Sequence, residues 1–205
     1  MRIGPKYKIA RRLGAPIFEK TQTQKFALSE EKKSRKRGRG GQKTDYGLQL
    51  TEKQKARYFY GISEKQFKNY VKDALSKKGS SPTAELLSNL ESRLDNAVWR
   101  TGFAPTHRAS RQMVSHGHIT VNGRKVRVPS YKLSQGDVIG VREGSKNSKL
   151  FATVEEGGVE SVTREVPAWI SYDPKHKVAE IKSKPMGDQG LLMFDLGQVI
   201  EFYSR

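Results

Sequence analysis

Positive charge is unevenly spread along this chain, and that limits which parts of it can fold around a core. Residues 1–60 hold 17 Lys/Arg against 5 Asp/Glu, residues 61–149 hold 16 against 7, and residues 150–205 hold 6 against 9. The net charge is +18 over 205 residues. A long basic front and a mildly acidic tail imply a polyanionic partner, most simply a nucleic acid. Each cation on the protein displaces counterions from phosphates, so such binding is strong and salt-sensitive.

Apolar residues make up 35% of the chain and concentrate after Leu48. Residues 1–47 are therefore expected to build no core of their own and to form an arm. They carry Lys6, Lys8, Arg11 and Arg12, and then the run Lys32-Lys33-Ser34-Arg35-Lys36-Arg37-Gly38-Arg39-Gly40-Gly41. Dense like charge with glycine stays disordered until phosphates neutralise it. The run lacks the spacing of a nucleotide-phosphate loop, and no apolar strand precedes it. Cysteine is absent, which excludes disulfides and thiolate zinc sites. No apolar run approaches the roughly 20 residues that span a bilayer. The start, Met1-Arg2-Ile3-Gly4-Pro5-Lys6, lacks the apolar stretch of a signal peptide. Pro5, Gly14 and Pro16 interrupt any long amphipathic transit helix, so a cytoplasmic location is expected.

Two capping boxes follow. Thr51-Glu52-Lys53-Gln54 and Ser63-Glu64-Lys65-Gln66 predict helices from about Thr51 to Tyr60 and from Ser63 to about Lys78. Phe67, Tyr70, Val71, Ala74 and Leu75 form the apolar stripe of the second. Ser81-Pro82 opens another helix, with Leu87, Leu90, Leu94, Ala97 and Val98 as its stripe and Gly102 as its stop. Thr106 caps a short helix that ends near Gly117. Ala109 and Met113 mark its buried side. Asn122-Gly123 predicts a two-residue hairpin that pairs Val121 with Arg124, and Gly136-Asp137 leads into a strand from Val138 to Val141. The stretch Gly144 to Lys149 reads as a boundary loop. Beyond it, Val159–Val166, Lys177–Ile181 and Leu191–Tyr203 have strand-like content, with turns at Asp173-Pro174 and Pro185-Met186-Gly187.

The helix and the hairpin bring two basic faces together. Arg108 and Arg111 lie on the helix, Lys125 and Arg127 on the hairpin, and Arg124 at its tip. Guanidinium groups make bidentate phosphate contacts. Thr106, Gln112, Ser115 and His116 supply neutral hydrogen bonds to phosphate or sugar. Tyr46, lying among cations ahead of its helix, is the aromatic best placed to stack on a base. Phe59, Phe67 and Tyr70 read better as core. The four histidines come without a thiol or a carboxylate pattern, so no metal site is expected. No Ser–His–Asp setting suggests catalysis.

These motifs resemble a known module. Leu90-Glu91-Ser92-Arg93-Leu94-Asp95-Asn96, Arg100-x-Gly102-Phe103, Arg111-Gln112-x-Val114-Ser115-His116, Val121-Asn122-Gly123-Arg124, Ser130-Tyr131 and Gly136-Asp137-Val138 are similar to the αL RNA-binding module. The flanks narrow the match. Gly4-Pro5-Lys6, Ala10-Arg11-Arg12, Asp45-Tyr46-Gly47-Leu48-Gln49-Leu50, Tyr60-Gly61 and the closing Phe202-Tyr203-Ser204-Arg205 resemble the bacterial-type small-subunit ribosomal protein S-four family. That resemblance implies an α+β fold: a basic arm over residues 1–43, a helical domain over 44–92 completed by 159–205, and an αL-type RNA-binding domain over 93–158. It implies a structural, non-enzymatic role on the 5′ domain of small-subunit ribosomal RNA early in assembly. It further implies neighbouring small-subunit proteins where messenger RNA enters, possible messenger contact, an influence on decoding accuracy and, in some members, repression of their own operon. No cofactor is implied. Some relatives hold zinc through arm cysteines, which this chain lacks. The expected RNA contacts are Lys6, Lys8, Arg11 and Arg12, then Arg35, Lys36, Arg37 and Arg39. Tyr46, Gln49, Lys53, Lys55 and Arg57 follow. The module adds Arg93, Arg100 and Tyr131 to its helix and hairpin residues. Two other readings are an RNA-modifying enzyme with this module as an appendage, and a free repressor or ribosome-rescue factor.

Overall fold

The computed structural model describes residues 3–34, 44–146, 148, 151, 166–173, 176–185 and 192–204. It has eight α-helices and one five-stranded antiparallel sheet among these residues, an α+β fold. The chain divides into two compact units, Met1–Leu86 with Asp188–Arg205, and Leu87–Gly187.

The first unit starts with a correction. Residues ahead of Leu48 do form a core. Helix α1 (Lys6–Leu13), a 3₁₀ turn (Glu19–Thr21) and helix α2 (Gln24–Ser34) bury Ile9, Ala10, Leu13, Ile17, Phe18 and Phe26 together, with Tyr58 packed against them. Charge does not prevent this, because Lys6 and Arg11 lie over rings while Lys8 and Arg12 stay at the surface. Lys6 stands 5.4 Å above Phe18 and Arg11 5.5 Å above Phe26. Arg11 also bonds Glu30 at 2.6 Å. Residues 35–43, with the Gly-rich basic run, lie outside the described residues.

Helix α3 (Asp45–Phe59) starts two turns earlier than its capping box predicts. Thr44 is the cap, its hydroxyl accepting from Gly47 N–H. Thr51 is mid-helix, and its hydroxyl donates back to the Gly47 carbonyl at 2.7 Å. Helix α4 (Glu64–Ser76) begins at its predicted cap, with Ser63 accepting from Gln66 N–H. The chain end is helical rather than a strand: α8 (Leu196–Ser204) buries Leu196 and Val199. The Asp195 carboxylate caps it, accepting from Gly197 N–H at 2.7 Å.

The single predicted helix through Leu87 to Val98 is two: α5 (Pro82–Glu91), which runs from the first unit into the second, and α6 (Leu94–Arg100). Between them the backbone pairs with a distant loop instead of with itself. Leu133 N–H donates to Ser92 O, and Leu94 N–H donates to Tyr131 O. Helix α7 (His107–His116) lies between Thr106 and Gly117 as predicted, with Gly117 left-handed at φ 76°. Strands β1 (Ile119–Val121), β2 (Arg124–Lys125), β3 (Val138–Val141), β4 (Ile170–Asp173) and β5 (Val178–Ile181) are ordered β2-β1-β3-β5-β4. The hairpin has the predicted register, Val121 opposite Arg124. Asn122 at φ 50° and Gly123 at φ 76° make its turn. Val138 to Val141 is a strand as predicted, and Lys177–Ile181 becomes β5. Strand β4 carries no predicted counterpart, and residues 159–165 lie outside the described residues. Strands β4 and β5, expected with the helical domain, instead extend this sheet from β3. Alternation points Ile119, Val121, Ile139, Val141, Ala179 and Ile181 inward, where they meet Leu94, Val98, Met113 and Val114 from α6 and α7 and Phe103 from the connection between them.

Candidate nucleic-acid interface

Helix α7 presents its outer face because its inner face packs on α6 and joins the core beneath the sheet. Ser110, Met113 and Val114 are buried, whereas Arg108, Gln112, Ser115 and His116 are exposed. Thr106 is used as the cap, its hydroxyl accepting from Ala109 N–H at 3.1 Å. The hairpin leans on the end of this helix. A Cβ at Gly117 would fall 2.1 Å from Lys125 Cε, so the glycine is what lets the Lys125 stem lie across the helix end. Arg124, Lys125 and Arg127 are exposed. Asn122 holds the hairpin tip to the next strand, donating to Asp137 at 2.8 Å and accepting from Val138 N–H at 2.8 Å.

A cation that sequence reasoning missed joins this patch. Arg142 directly follows β3 and is exposed. Its backbone N–H donates to the His118 carbonyl at 2.8 Å, placing it beside the end of α7. The alternation of β3, with Val141 inward, was the available signal. The charges sense one another. Lys125 is held below the ordinary lysine value by desolvation of its ammonium, and then by the charges of Arg127 and Arg142. His118 is held below the ordinary histidine value by burial, and then by His116, Arg142 and Lys125. Cations this crowded gain most from a phosphate placed among them.

Several predicted contacts are committed inside the protein. Arg93 is 2% exposed and Asp95 4%, and they are joined through Nε–Oδ1 at 2.9 Å and Nη2–Oδ2 at 2.8 Å. Arg93, expected at the RNA surface, is thus held in a buried ion pair. Arg111 donates to the same Asp95, with Nη2 at 2.7 Å. Arg100 grips Glu91 through two bonds of 3.0 and 2.7 Å. Tyr131 is exposed.

In the first unit, Gln49 and Lys53, both expected to meet RNA, are buried. Gln49 donates to Glu201, and Lys53 to Glu64 at 2.9 Å. Lys55 pairs with Glu52 at 2.6 Å and Arg57 with Glu64 at 3.3 Å. Phe67 is buried and Phe59 packs on Phe194 with centroids 5.5 Å apart, in line with their reading as core. Tyr46 is exposed but lies 5.5 Å from the Phe202 ring. Lys8 and Arg12 are exposed on α1. Arg35, Lys36, Arg37 and Arg39 lie outside the described residues.

The chain matches two known families in succession. Residues 1–91 match the ribosomal protein S4/S9 N-terminal domain, and residues 92–139 match the S4 domain. It is 42% identical to the small ribosomal subunit protein uS4 of Chromobacterium violaceum, over 99% of this chain and 98% of that one. The uS4 proteins of Amoebophilus asiaticus and Chromohalobacter salexigens are 41% and 44% identical over the same shares. With full-length similarity of this kind behind both units, the chain belongs to the family of small ribosomal subunit protein uS4.

Proposed function

We propose that this chain is a structural, non-catalytic constituent of the small ribosomal subunit that binds small-subunit ribosomal RNA. The observation that carries the reading is the convergence of His116, Lys125, Arg127 and Arg142 where α7 meets the hairpin. A rigid basic surface suits the phosphate backbone of folded RNA, because A-form grooves hide base edges and shape is read instead. Arg108, Arg124 and the exposed Lys8 and Arg12 extend the same chemistry. The finer reading is binding to the 5′ domain early in assembly, beside small-subunit proteins where messenger RNA enters, with an effect on decoding accuracy. Its place is then the cytoplasmic ribosome.

Filter binding of the intact chain to 5′-domain RNA across a salt series tests this. With about 6–10 phosphate contacts, affinity falls by roughly three to five powers of ten between 50 and 200 mM salt. A flat response rejects the reading.

A further inference from the structure

We propose that a hollow beside α7 accepts one unpaired pyrimidine base of the bound RNA, an inference that rests on the RNA-binding reading above. The hollow has a volume of about 140 Å³ and is lined by Ala109, Gln112, Met113, His116 and His118. Four of these recur at three- and four-residue steps along one face of the helix, and His118 lies just beyond its Gly117 cap. The size suits one ring. An apolar cavity of about 150 Å³ takes up a benzene-sized ring, whereas sites for larger ligands begin at about 300 Å³. One six-membered ring fits.

The lining suits a base in particular. Met113 is 5% exposed, and its thioether makes favourable contact with aromatic faces. The imidazoles of His116 and His118 have centroids 6.1 Å apart and planes inclined by 49°, so the hollow has two aromatic walls on which a base can stack. Gln112 is exposed, and its amide offers both a donor and an acceptor to a base edge. His118 Nδ1 lies 3.0 Å from Ser145 Oγ, which fixes that ring in place. The charges named above surround the same spot. Lys125 and Arg142 act on His118, so phosphates on either side of the base find cations within reach. An aromatic side chain of a protein partner brings no such anions.

The test uses the full chain labelled uniformly with ¹⁵N and at its methionine methyl groups with ¹³C. It is titrated with a short oligouridylate and with an abasic strand of the same backbone and length. Both strands are expected to shift the Lys125 and Arg127 amide signals, because both supply phosphates. The oligouridylate alone moves the Met113 methyl upfield by ring current, and it binds about tenfold more tightly, the worth of one stacked base. Ala109→Leu fills the hollow and is expected to remove that preference while leaving abasic binding unchanged. Equal Met113 shifts with both strands overturn the proposal, as does a preference that survives Ala109→Leu. If neither strand binds at low salt, the RNA-binding reading itself fails and takes this inference with it.

Discussion

Arg111 reaches back sixteen residues along the chain to Asp95, its Nη2 2.7 Å from Oδ2. Asp95 already holds the buried Arg93 through two bonds. One carboxylate therefore anchors α7 to the start of α6 while neutralising a cation that has no access to water. Removing it strands Arg93 in the interior. Asp95→Ala is expected to destabilise the protein by about 3 kcal/mol, the usual scale for breaking one side of a buried pair. Urea unfolding followed by circular dichroism measures this. A loss under about 1 kcal/mol would show that the pair contributes little.

The same pairing separates two arginines that look equivalent in the sequence. Arg108 is exposed, whereas Arg111 is half-buried and ion-paired. Arg108→Ala is expected to leave the melting temperature unchanged, weaken ribosomal RNA binding severalfold and reduce the salt slope by about one. Arg111→Ala lowers the melting temperature as well as the affinity. Filter binding at several salt concentrations, paired with thermal melts, distinguishes the two. Identical behaviour in both assays contradicts the assignment.

Gly117 and Gly79 are both left-handed, at φ 76° and 82°, but only Gly117 has a side chain lying where its Cβ would go. Substitution by alanine is expected to cost about 1–2 kcal/mol at either site, from backbone strain alone. Only Gly117→Ala also pushes the Lys125 stem off the end of α7. RNA affinity therefore falls for Gly117→Ala and holds for Gly79→Ala. Equal affinities in the two variants would mean that the seat of Lys125 does not matter to binding.

The αL module was legible because its signals are local and each has one geometric solution. Asn122-Gly123 admits one kind of turn, Thr106 and Gly117 bracket one helix, and the resulting register places Lys125 beside Thr120. What escaped depends on contacts distant in sequence. The core around Phe18 and Phe26 has Tyr58 from another helix packed against it. The break between α5 and α6 is held open by residues 129–133. Strand content at Leu191–Tyr203 gave way to a helix because Asp195 caps it and Leu196 and Val199 find a buried face. Charge alone could not tell exposed Arg108 from buried Arg93, since each is an arginine with one polar and one apolar chain neighbour. Only the partner does, and Asp95 is that partner.

A polar cluster around Glu64 in the first unit predicts how the protein responds to acid. Glu64 accepts from Tyr203 Oη at 2.6 Å and from Lys53 Nζ at 2.9 Å, with Arg57 at 3.3 Å. Burial alone would raise its pKa, but those hydrogen bonds and the charges of Lys53 and Arg57 outweigh it and hold the carboxyl below 4.5. Tyr203 responds in the opposite sense, its phenol raised by burial and by Glu64. A carboxyl depressed in the folded state adds stability above its unfolded pKa, and that stability is lost as pH falls through the folded value. Stability is therefore expected to fall from about pH 4.5 downward. Glu64→Gln removes this contribution and flattens that limb. Tyr203→Phe removes one of the hydrogen bonds that favour the carboxylate, so its limb becomes shallower than in the parent and steeper than in Glu64→Gln. Urea midpoints measured from neutral pH to about pH 3 give the three curves. If the Glu64→Gln curve runs parallel to the parent below pH 4.5, this cluster does not couple folding to protons.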